Sequence, residues 1–593
     1  MDLITPGDLI KAVPALKFFG GDTTARILYR KLKLDYLNIE YTTYSHLPPV
    51  EFVNKALEVM NVSFDVSAED LEHIPKDGPF ITVSNHPYGG LEGVILAKIL
   101  PEVRSDYKIL VNFLLTKFEP LKKYFLGVNP FEARKDVRSS FGGLKDAILH
   151  VAHGHPLGIF PAGEVSTIHL TRRAVTDKEW QHSILKFIKK AKVPVIPIYI
   201  DGHNGFFFHF LGLIHPMLRT AKLPSELFNK KGKAIQLRIG QPILVKEQDE
   251  LRDIRDYGEM LRILTYSMSV SLRQPRRFFS LQLFSPSPII PPVESDQIVN
   301  EIRTICYDYQ VFRIKDEVVY CVPTEMIPNI MREIARLREI TYRAVGEGTN
   351  KAMDIDHYDT FFEQLFIWNE TEKRIIGGYR IGKGAKIMDL HGLDGFYINS
   401  LFRIDPSFSS VLRVSIELGR SFVVKDFQHK ALSLFLLWKG ILYTLIKHPE
   451  YRYLIGPVSI SNEFLDISKS LTVHYLTSHH FNSEFASYIK PRKEFSIRIP
   501  RVIDKDLFQR YTEKGVARLD RFIQGIDSQY KTPILLKKYL SVNAEIIGFN
   551  VDPLFNNCLD ALTILDIFEI PMDTIESLSK EINDQSILER FRK

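Results

Sequence analysis

Four prolines fall within the nine residues Ser285-Pro286-Ser287-Pro288-Ile289-Ile290-Pro291-Pro292-Val293. Proline has no amide hydrogen and a fixed φ, so this window can neither continue a helix nor donate to a central strand ladder. It reads as a stiff linker near the middle of a 593-residue chain. A chain of that length is expected to hold about two to four domains. The expected divisions are a helical region over 1–75, an α/β domain over 76–284, the linker over 285–297 and a second domain over 298–593.

Periodicity on either side of the linker points to strands separated by helices, the pattern of an α/β fold in two domains. In the first half, strands are expected at Ile81–Ser84, Leu157–Pro161, Val193–Ile200 and Ala234–Ile239, with helices at Leu91–Leu100 and Glu179–Lys190. In the second half, a strand is expected at Val318–Val322 and helices at Met326–Glu339 and Leu432–Ile446. A hairpin is expected to join Leu365–Asn369 to Ile375–Ile381 around Glu370-Thr371-Glu372-Lys373.

Composition excludes several classes. Hydrophobic residues are 45% and charged residues 25%, enough apolar material for packed cores. A net charge of +6 is slight for this length and is not a nucleic-acid signature; it fits an anionic membrane surface or an acidic protein partner. Cys306, Cys321 and Cys558 lack metal-type spacing and build no disulfide framework, which favours a reducing cytosol and no metal centre. No signal peptide is expected, and no apolar run approaches the roughly 20 residues that span a bilayer. The longest run, Phe206 to Ile214, fits a buried core or acyl-tunnel wall, a membrane-dipping surface or an oligomer interface. Arg26, Arg30, Lys31 and Lys33 beside Leu28, Leu32 and Leu34 form a basic amphipathic stretch, either a solvated face or a membrane-surface contact.

Chemistry concentrates at Ser84-Asn85-His86-Pro87-Tyr88-Gly89-Gly90-Leu91-Glu92-Gly93, a glycine-rich turn after an apolar strand. A histidine oriented by a carboxylate can take the proton of an acceptor hydroxyl, which then attacks an acyl thioester. His86 is the expected base and Glu92 its partner. Some 70 residues on stands Phe160-Pro161-Ala162-Gly163-Glu164-Val165-Ser166.

With these two segments, residues 60–245 resemble the glycerol-phosphate and lysophospholipid acyltransferases. Asn85-His86 with Glu92 matches the family's first block, Phe160–Glu164 its third and Val193–Ile200 its fourth. Gly127-Val128-Asn129-Pro130-Phe131, with Arg134, is a loose match to the second. The resemblance implies Asn85, Gly163 and Glu164 as substrate-binding residues. Two departures stand out. The family places four residues between its His and Asp, whereas five separate His86 from Glu92. The family's third block ends in an arginine that grips the acceptor phosphate; here Val165-Ser166 follow Glu164. Arg172 and Arg173 are possible substitutes, but a phosphate-free acceptor explains the loss more simply.

The second half carries Arg338-Glu339-Ile340-Thr341-Tyr342-Arg343, Asp354-Ile355-Asp356-His357-Tyr358-Asp359, Gly377-Gly378-Tyr379-Arg380 and Glu417-Leu418-Gly419-Arg420. In order and spacing, residues 315–470 resemble N-acyltransferases related to acyl-homoserine-lactone and ornithine-lipid synthases. The implied fold is an acetyltransferase-like (GNAT-like) mixed sheet flanked by helices, with a V-shaped opening. The resemblance implies Glu417 as proton acceptor, Asp356 and Asp359 as holders of the acceptor ammonium and Arg380 of its carboxylate. Arg338 or Arg343 stands at the mobile arginine, and Arg420 completes the set. No pyrophosphate-cradling glycine loop lies between Arg420 and Leu434, which favours an acyl-carrier-protein donor over coenzyme A. The tail Gly548–Asn557 resembles a segment of hemolysin-like proteins, with structural packing expected of Asp552.

The two resemblances together are those of a bifunctional ornithine-lipid synthase. The second domain would join a 3-hydroxyacyl chain to ornithine, and the first would acylate the new hydroxyl of the lyso-aminolipid. Glycine, another amino acid or a lysophospholipid are alternative acceptors; a membrane-active hemolysin-type protein is the alternative of another class. No bound cofactor is expected, and the implied location is the inner face of the cell membrane.

Overall fold

The computed structural model describes residues 5–7, 21–128, 139–169, 174–214, 222–223, 225–230, 232–273, 286–429, 431–582 and 586–591. Asn129, Pro130, Phe131, Arg134, Arg172 and Arg173 lie outside them. The chain forms two compact units: Met1–Pro275 with Pro500–Tyr511, and Arg276–Ile499 with Thr512–Lys593. Residues 500–511 thus leave the second half to join the first unit, where Val502 packs on Tyr199, Tyr266 and Met268.

In the first unit, β1 (Val62–Asp65), β2 (Ile81–Ser84), β3 (Lys108–Asn112), β4 (Phe125–Val128), β5 (Leu157–Ile159), β8 (Val195–Ile200) and β9 (Lys233–Ile239) form one sheet in the order β1-β9-β8-β2-β5-β3-β4. β6 (Thr167–His169) and β7 (Ala174–Thr176) form a separate antiparallel pair. All pairings in the main sheet are parallel except β8 with β9, so the sheet is mixed. β2 and β8 are buried along their whole length, as strands covered on both faces must be; β8 reads as a continuous apolar run, whereas β2 alternates as Ile-Thr-Val-Ser, with the Thr82 hydroxyl bonded to that of Tyr107. The helix Leu91–Val103 packs its apolar residues into the core with Phe80, Ile196 and Ile198. The helix on the third block's far side starts at His182, later than periodicity suggests, which leaves residues 177–181 as loop.

The apolar run from Phe206 is a helix, Phe206–Ile214. Phe208 and His209 are buried, while Phe206, Phe207 and Phe210 are 80%, 58% and 46% exposed. Among the described residues no helix is long and apolar enough to cross a membrane.

In the second unit, β10 (Gln310–Ile314), β11 (Glu317–Pro323), β12 (Glu363–Asn369), β13 (Arg374–Lys383), β15 (Ser415–Val423), β16 (Tyr453–Ile460), β18 (Glu545–Asp552) and β19 (Cys558–Asp566) form a sheet in the order β10-β11-β12-β13-β15-β16-β19-β18. β14 (Phe402–Ile404) pairs with β17 (Ile489–Pro491). Only β15 and β16 run parallel, and they pair over Ser415–Glu417 alone. β15 continues along β13, and β16 continues along β19, so the two strands part beyond Glu417. Two features mark the place where they part. β15 carries one extra residue between Gly419 and Phe422, where Arg420 takes φ 53°, and Gly456 lets β16 approach the Leu418 carbonyl, which any Cβ there would meet at 2.3 Å.

Residues 286–293 of the proline window form no helix or strand. The amides of Ser287 and Ile290 bond the carbonyls of Asn350 and Ala352, so it lies along the second unit. The helix Ser295–Ile305 begins before the expected linker ends.

Candidate functional site

The first site grows from the end of β2. Asn85 is buried, and both ends of its amide are taken by Ile200: Nδ2 donates to the carbonyl at 2.9 Å and Oδ1 accepts the amide at 2.8 Å. Its place is therefore that of a clasp between β2 and β8, not the open substrate contact expected of it.

The next residue is His86, whose Nδ1 lies 2.7 Å from Glu92 Oε1. The charge of Glu92 and a side-chain hydrogen bond both act on the imidazole across this contact. Glu92 is fully buried in the first turn of the helix Leu91–Val103, where the helix dipole favours negative charge. Its carboxylate accepts the amides of Tyr88 and Gly89 on Oε1 and of Gly90 on Oε2, at 3.0, 2.9 and 3.0 Å. The longer acid and the extra residue thus let one carboxylate close the turn and face the imidazole together. Gly89 takes φ +89° there, and a Cβ on it would meet Leu223 and Val165 at 2.5 and 2.6 Å.

Burial works against charge on both partners. It pushes the Glu92 carboxyl up, but His86 and the turn amides outweigh it and bring the group down to about 2. Burial lowers the His86 imidazole, but Glu92, with Asp177 behind it, raises it above its ordinary value. The Phe160 ring covers His86 at 4.6 Å between centroids.

Asp177 carries no signal in the sequence, yet the structure sets it directly beneath the base. It is fully buried and accepts the His86 amide at 3.1 Å and the Ser166 hydroxyl at 2.6 Å on Oδ1, and the Trp180 indole N–H at 3.2 Å on Oδ2. The Ser166 amide in turn bonds the His86 carbonyl at 2.8 Å. Gly163 occupies a left-handed turn, φ +67°, with Gln181 where a Cβ would stand. Glu164 pairs with Lys178 at 2.8 Å in a partly exposed position.

The second site lies on one face of the second sheet. The pairings Gln364–Arg380, Arg380–Gly419 and Glu417–Gly382 put Gln364, Arg380, Glu417 and Gly419 on that face. Glu417, the last residue before the strands part, is buried; its oxygens accept the amides of Tyr397 and Ile398 at 3.1 and 2.8 Å. Burial pushes its carboxyl up to about 7 against these bonds and the Arg380 charge.

Around it stand Arg338, Arg380 and Arg420 against Asp354, Asp356 and Asp359. Arg338 bonds Asp359 at 2.9 Å and Gln364 at 2.6 Å. Arg380 bonds Asp356 at 2.6 Å and lies 3.4 Å from Asp359. Arg420 bonds Asp356 at 2.9 Å and lies 3.0 Å from Asp354. Both acids expected to hold an ammonium are therefore matched by arginines. Asp359 is held well below the carboxylate range because Arg338 and Arg380 outweigh burial.

Arg343 is not part of this set. It pairs with Glu339 at 2.6 Å and bonds the Lys351 carbonyl, so Arg338 is the arginine of that helix that reaches the site.

Arg380 retains capacity. It is fully buried, with its Cζ 5.2, 5.3 and 5.5 Å from the rings of Tyr397, Phe362 and Tyr358, and its Nε and one Nη have no hydrogen-bond partner. A Cβ on Gly419 would meet only Arg380 Nε, at 4.0 Å, so there is open room beside that nitrogen.

A histidine paired with a buried carboxylate, and an arginine beside a near-neutral acid, are groups that acyl transfer to oxygen and to nitrogen can use. Residues 9–274 match the family described as acyltransferase, and residues 337–439 match the acetyltransferase (GNAT) domain. The chain is 30% identical over 249 residues to a glycine N(alpha)-acyltransferase of Phocaeicola vulgatus, spanning 40% of this chain and 70% of the relative.

This chain belongs to the acyltransferases.

The acyltransferase is similar to two further curated proteins of Bacteroides thetaiotaomicron. One is a glycine N(alpha)-acyltransferase, 30% identical over 251 residues, with 40% of this chain and 67% of the relative covered. The other is a lyso-glycine lipid O-acyltransferase, 26% identical over 231 residues, with 37% of this chain and 80% of the relative covered. The acyltransferase domain comes first in the chain and the GNAT-type domain second.

Proposed function

We propose that this acyltransferase makes an aminolipid in two steps, N-acylation of an amino acid in the second unit and O-acylation of the product in the first. Two sites of complementary chemistry in one chain carry this reading: His86–Glu92 for a hydroxyl, and Arg380 with Glu417 for an amino acid. The relatives named for glycine and for lyso-glycine lipid support glycine ahead of ornithine as the acceptor.

In the second unit, the spare N–H groups of Arg380 take the acceptor carboxylate in the room beside Gly419. Glu417 takes a proton from the attacking amine. A C–N bond forms at the thioester carbonyl, the C–S bond breaks, and the thiolate leaves. In the first unit, His86 removes the hydroxyl proton as that oxygen attacks a second thioester. Glu92 stabilises the resulting imidazolium, which returns the proton to the leaving thiolate. No serine or cysteine nucleophile is needed.

The donor is an acyl thioester. The absence of an Arg/Gln-x-x-Gly-x-Gly pattern between Arg420 and Leu434 supports a carrier-protein thioester over coenzyme A. The exposed Phe206, Phe207 and Phe210 support contact with a membrane surface.

Lipid extraction from a host expressing the chain tests this. Mass spectrometry should find new phosphorus-free, ninhydrin-positive lipids. An unchanged lipid profile despite good expression, donor supply and amino-acid feeding refutes the reading.

A further inference from the structure

The wedge between β15 and β16 has a second wall. The pairing Ser459–Asp560 and the pairings Asn550–Asp560 and Asp552–Cys558 carry the polar face of Glu417 across to β19 and β18. There the side chains are acidic. Asp552 and Asp560 are 2% and 5% exposed, and Glu347 reaches the same place through a 2.7 Å bond from the Ser459 hydroxyl. Tyr397 links the two walls. Its amide bonds Glu417, its ring lies over Arg380 and Arg420, and its hydroxyl donates to Asp552 at 3.3 Å.

These acids differ from Asp354, Asp356 and Asp359 in one respect. Among the described residues no lysine, arginine or histidine lies within ion-pair distance of Glu347, Asp552 or Asp560. Asp560 Oδ2 is buried with no hydrogen-bond partner at all. Burial, Asp552 and Glu347 together hold the Asp560 carboxyl well above its ordinary range, against the weak 3.8 Å contact from the Cys558 thiol to Oδ1 and the charge of Arg420 beyond ion-pair distance. Buried carboxylates without a counter-ion are costly, and a cation of the right shape relieves the cost. Among the described residues no group of three or more His, Cys, Asp or Glu side chains is placed to hold a metal ion. An alkylammonium, which needs a few acceptors and tolerates an aromatic neighbour such as Tyr397, fits the donor set.

We infer that Asp560, with Asp552 and Glu347, forms the pocket that receives the primary amine of the amino-acid acceptor as an ammonium, opposite the arginine wall; where that amine is the nucleophile, one ammonium proton passes to Asp560 before attack and a second to Glu417 as the C–N bond forms. This rests on the proposed N-acylation. It places a positive group of the acceptor on β18–β19 and its carboxylate on β13–β15. It also gives Asp552 a ligand-facing role instead of the packing role expected of it.

The experiment uses the full chain with Asp560→Asn and Glu347→Gln. Initial rates of N-acylation with glycine or ornithine are paired with ligand-observed NMR titration of n-propylamine, an amine with no carboxylate. Asp560→Asn should raise KM for the amino acid about tenfold or more, leave KM for the acyl thioester within about twofold, and weaken n-propylamine binding by a similar factor. A rise for both amino acids assigns the pocket to the α-amine; a rise for ornithine alone assigns it to the distal amine. Unchanged amino-acid KM and unchanged amine binding overturn the inference. If Asp560→Asn lacks a wild-type thermal transition, the same rates and titration on Glu347→Gln decide the pocket by the same outcomes. If the wild-type chain acylates no amino acid, the proposed function has failed, and the n-propylamine titration alone decides the pocket.

Discussion

His86 Nδ1 stands 2.7 Å from Glu92 Oε1, and Glu92 also holds closed the turn that bears His86. One carboxylate therefore sets both the charge and the backbone of the base. Glu92→Gln removes the charge and turns one oxygen into a donor, so it also gives up at least one of the three turn amides.

In Glu92→Gln, the larger of the two influences that lift His86 above its ordinary value is gone, and only Asp177 remains. A general base works when neutral, so the acid limb of O-acylation lies above pH 6.5 in the wild-type enzyme and moves down in the variant. The pH profile of kcat/KM with a supplied lyso-aminolipid measures this. An acid limb that stays in place refutes the pairing.

His86→Ala should lower O-acylation by roughly 10²- to 10⁴-fold, the usual contribution of a general base, while N-acylation continues. A lyso-aminolipid then accumulates in extracted lipid. Undiminished diacyl product would show that another group is the base.

Glu417→Gln should produce the opposite pattern. N-acylation falls by a similar factor, and a supplied lyso-lipid is still converted. Because burial sets the Glu417 carboxyl at about 7, wild-type N-acylation rises through neutral pH as the acid ionises, and that step disappears in the variant. Retention of the step would move the proton-accepting role to another residue.

A Cβ at Gly419 meets no backbone within 4 Å, and Gly419→Val adds two methyl groups beyond it on the side of Arg380 Nε. The protein should keep its thermal midpoint to within a few degrees, yet KM for the amino acid should rise about tenfold or more, as expected when a charged hydrogen bond to ligand is blocked. Steady-state kinetics and a melting curve on one preparation check both halves. A wild-type KM would show that the acceptor lies elsewhere.

Much of the two sites is legible in sequence where the chemistry is local. His86 and Glu92 share one turn, and Glu417 and Arg420 one strand end, so short spacings reveal them. What stays hidden comes from distant segments. Asp177 reaches His86 from 91 residues away and looks like any loop acid. Arg338 rather than Arg343 joins the arginine set because helix rotation, not sequence order, decides which side chain faces Asp359. Asn85 sits beside the base but is spent on Ile200, a pairing that only the β2–β8 register creates. Asp552 and Asp560 matter through their common face with Ser459, visible only once β19 lies between β16 and β18.

The Asn85–Ile200 clasp bears on how the enzyme comes into being. The two residues are 115 positions apart, so ribosomal synthesis releases the histidine and its carboxylate long before the strand that fastens them. A nascent chain that ends before Asp177 holds the base and its partner, but neither the buried acid beneath nor the β8 edge beside. Contacts of such long sequence separation form late in folding. The first site is therefore complete only when segments 115 positions apart in the chain have come together.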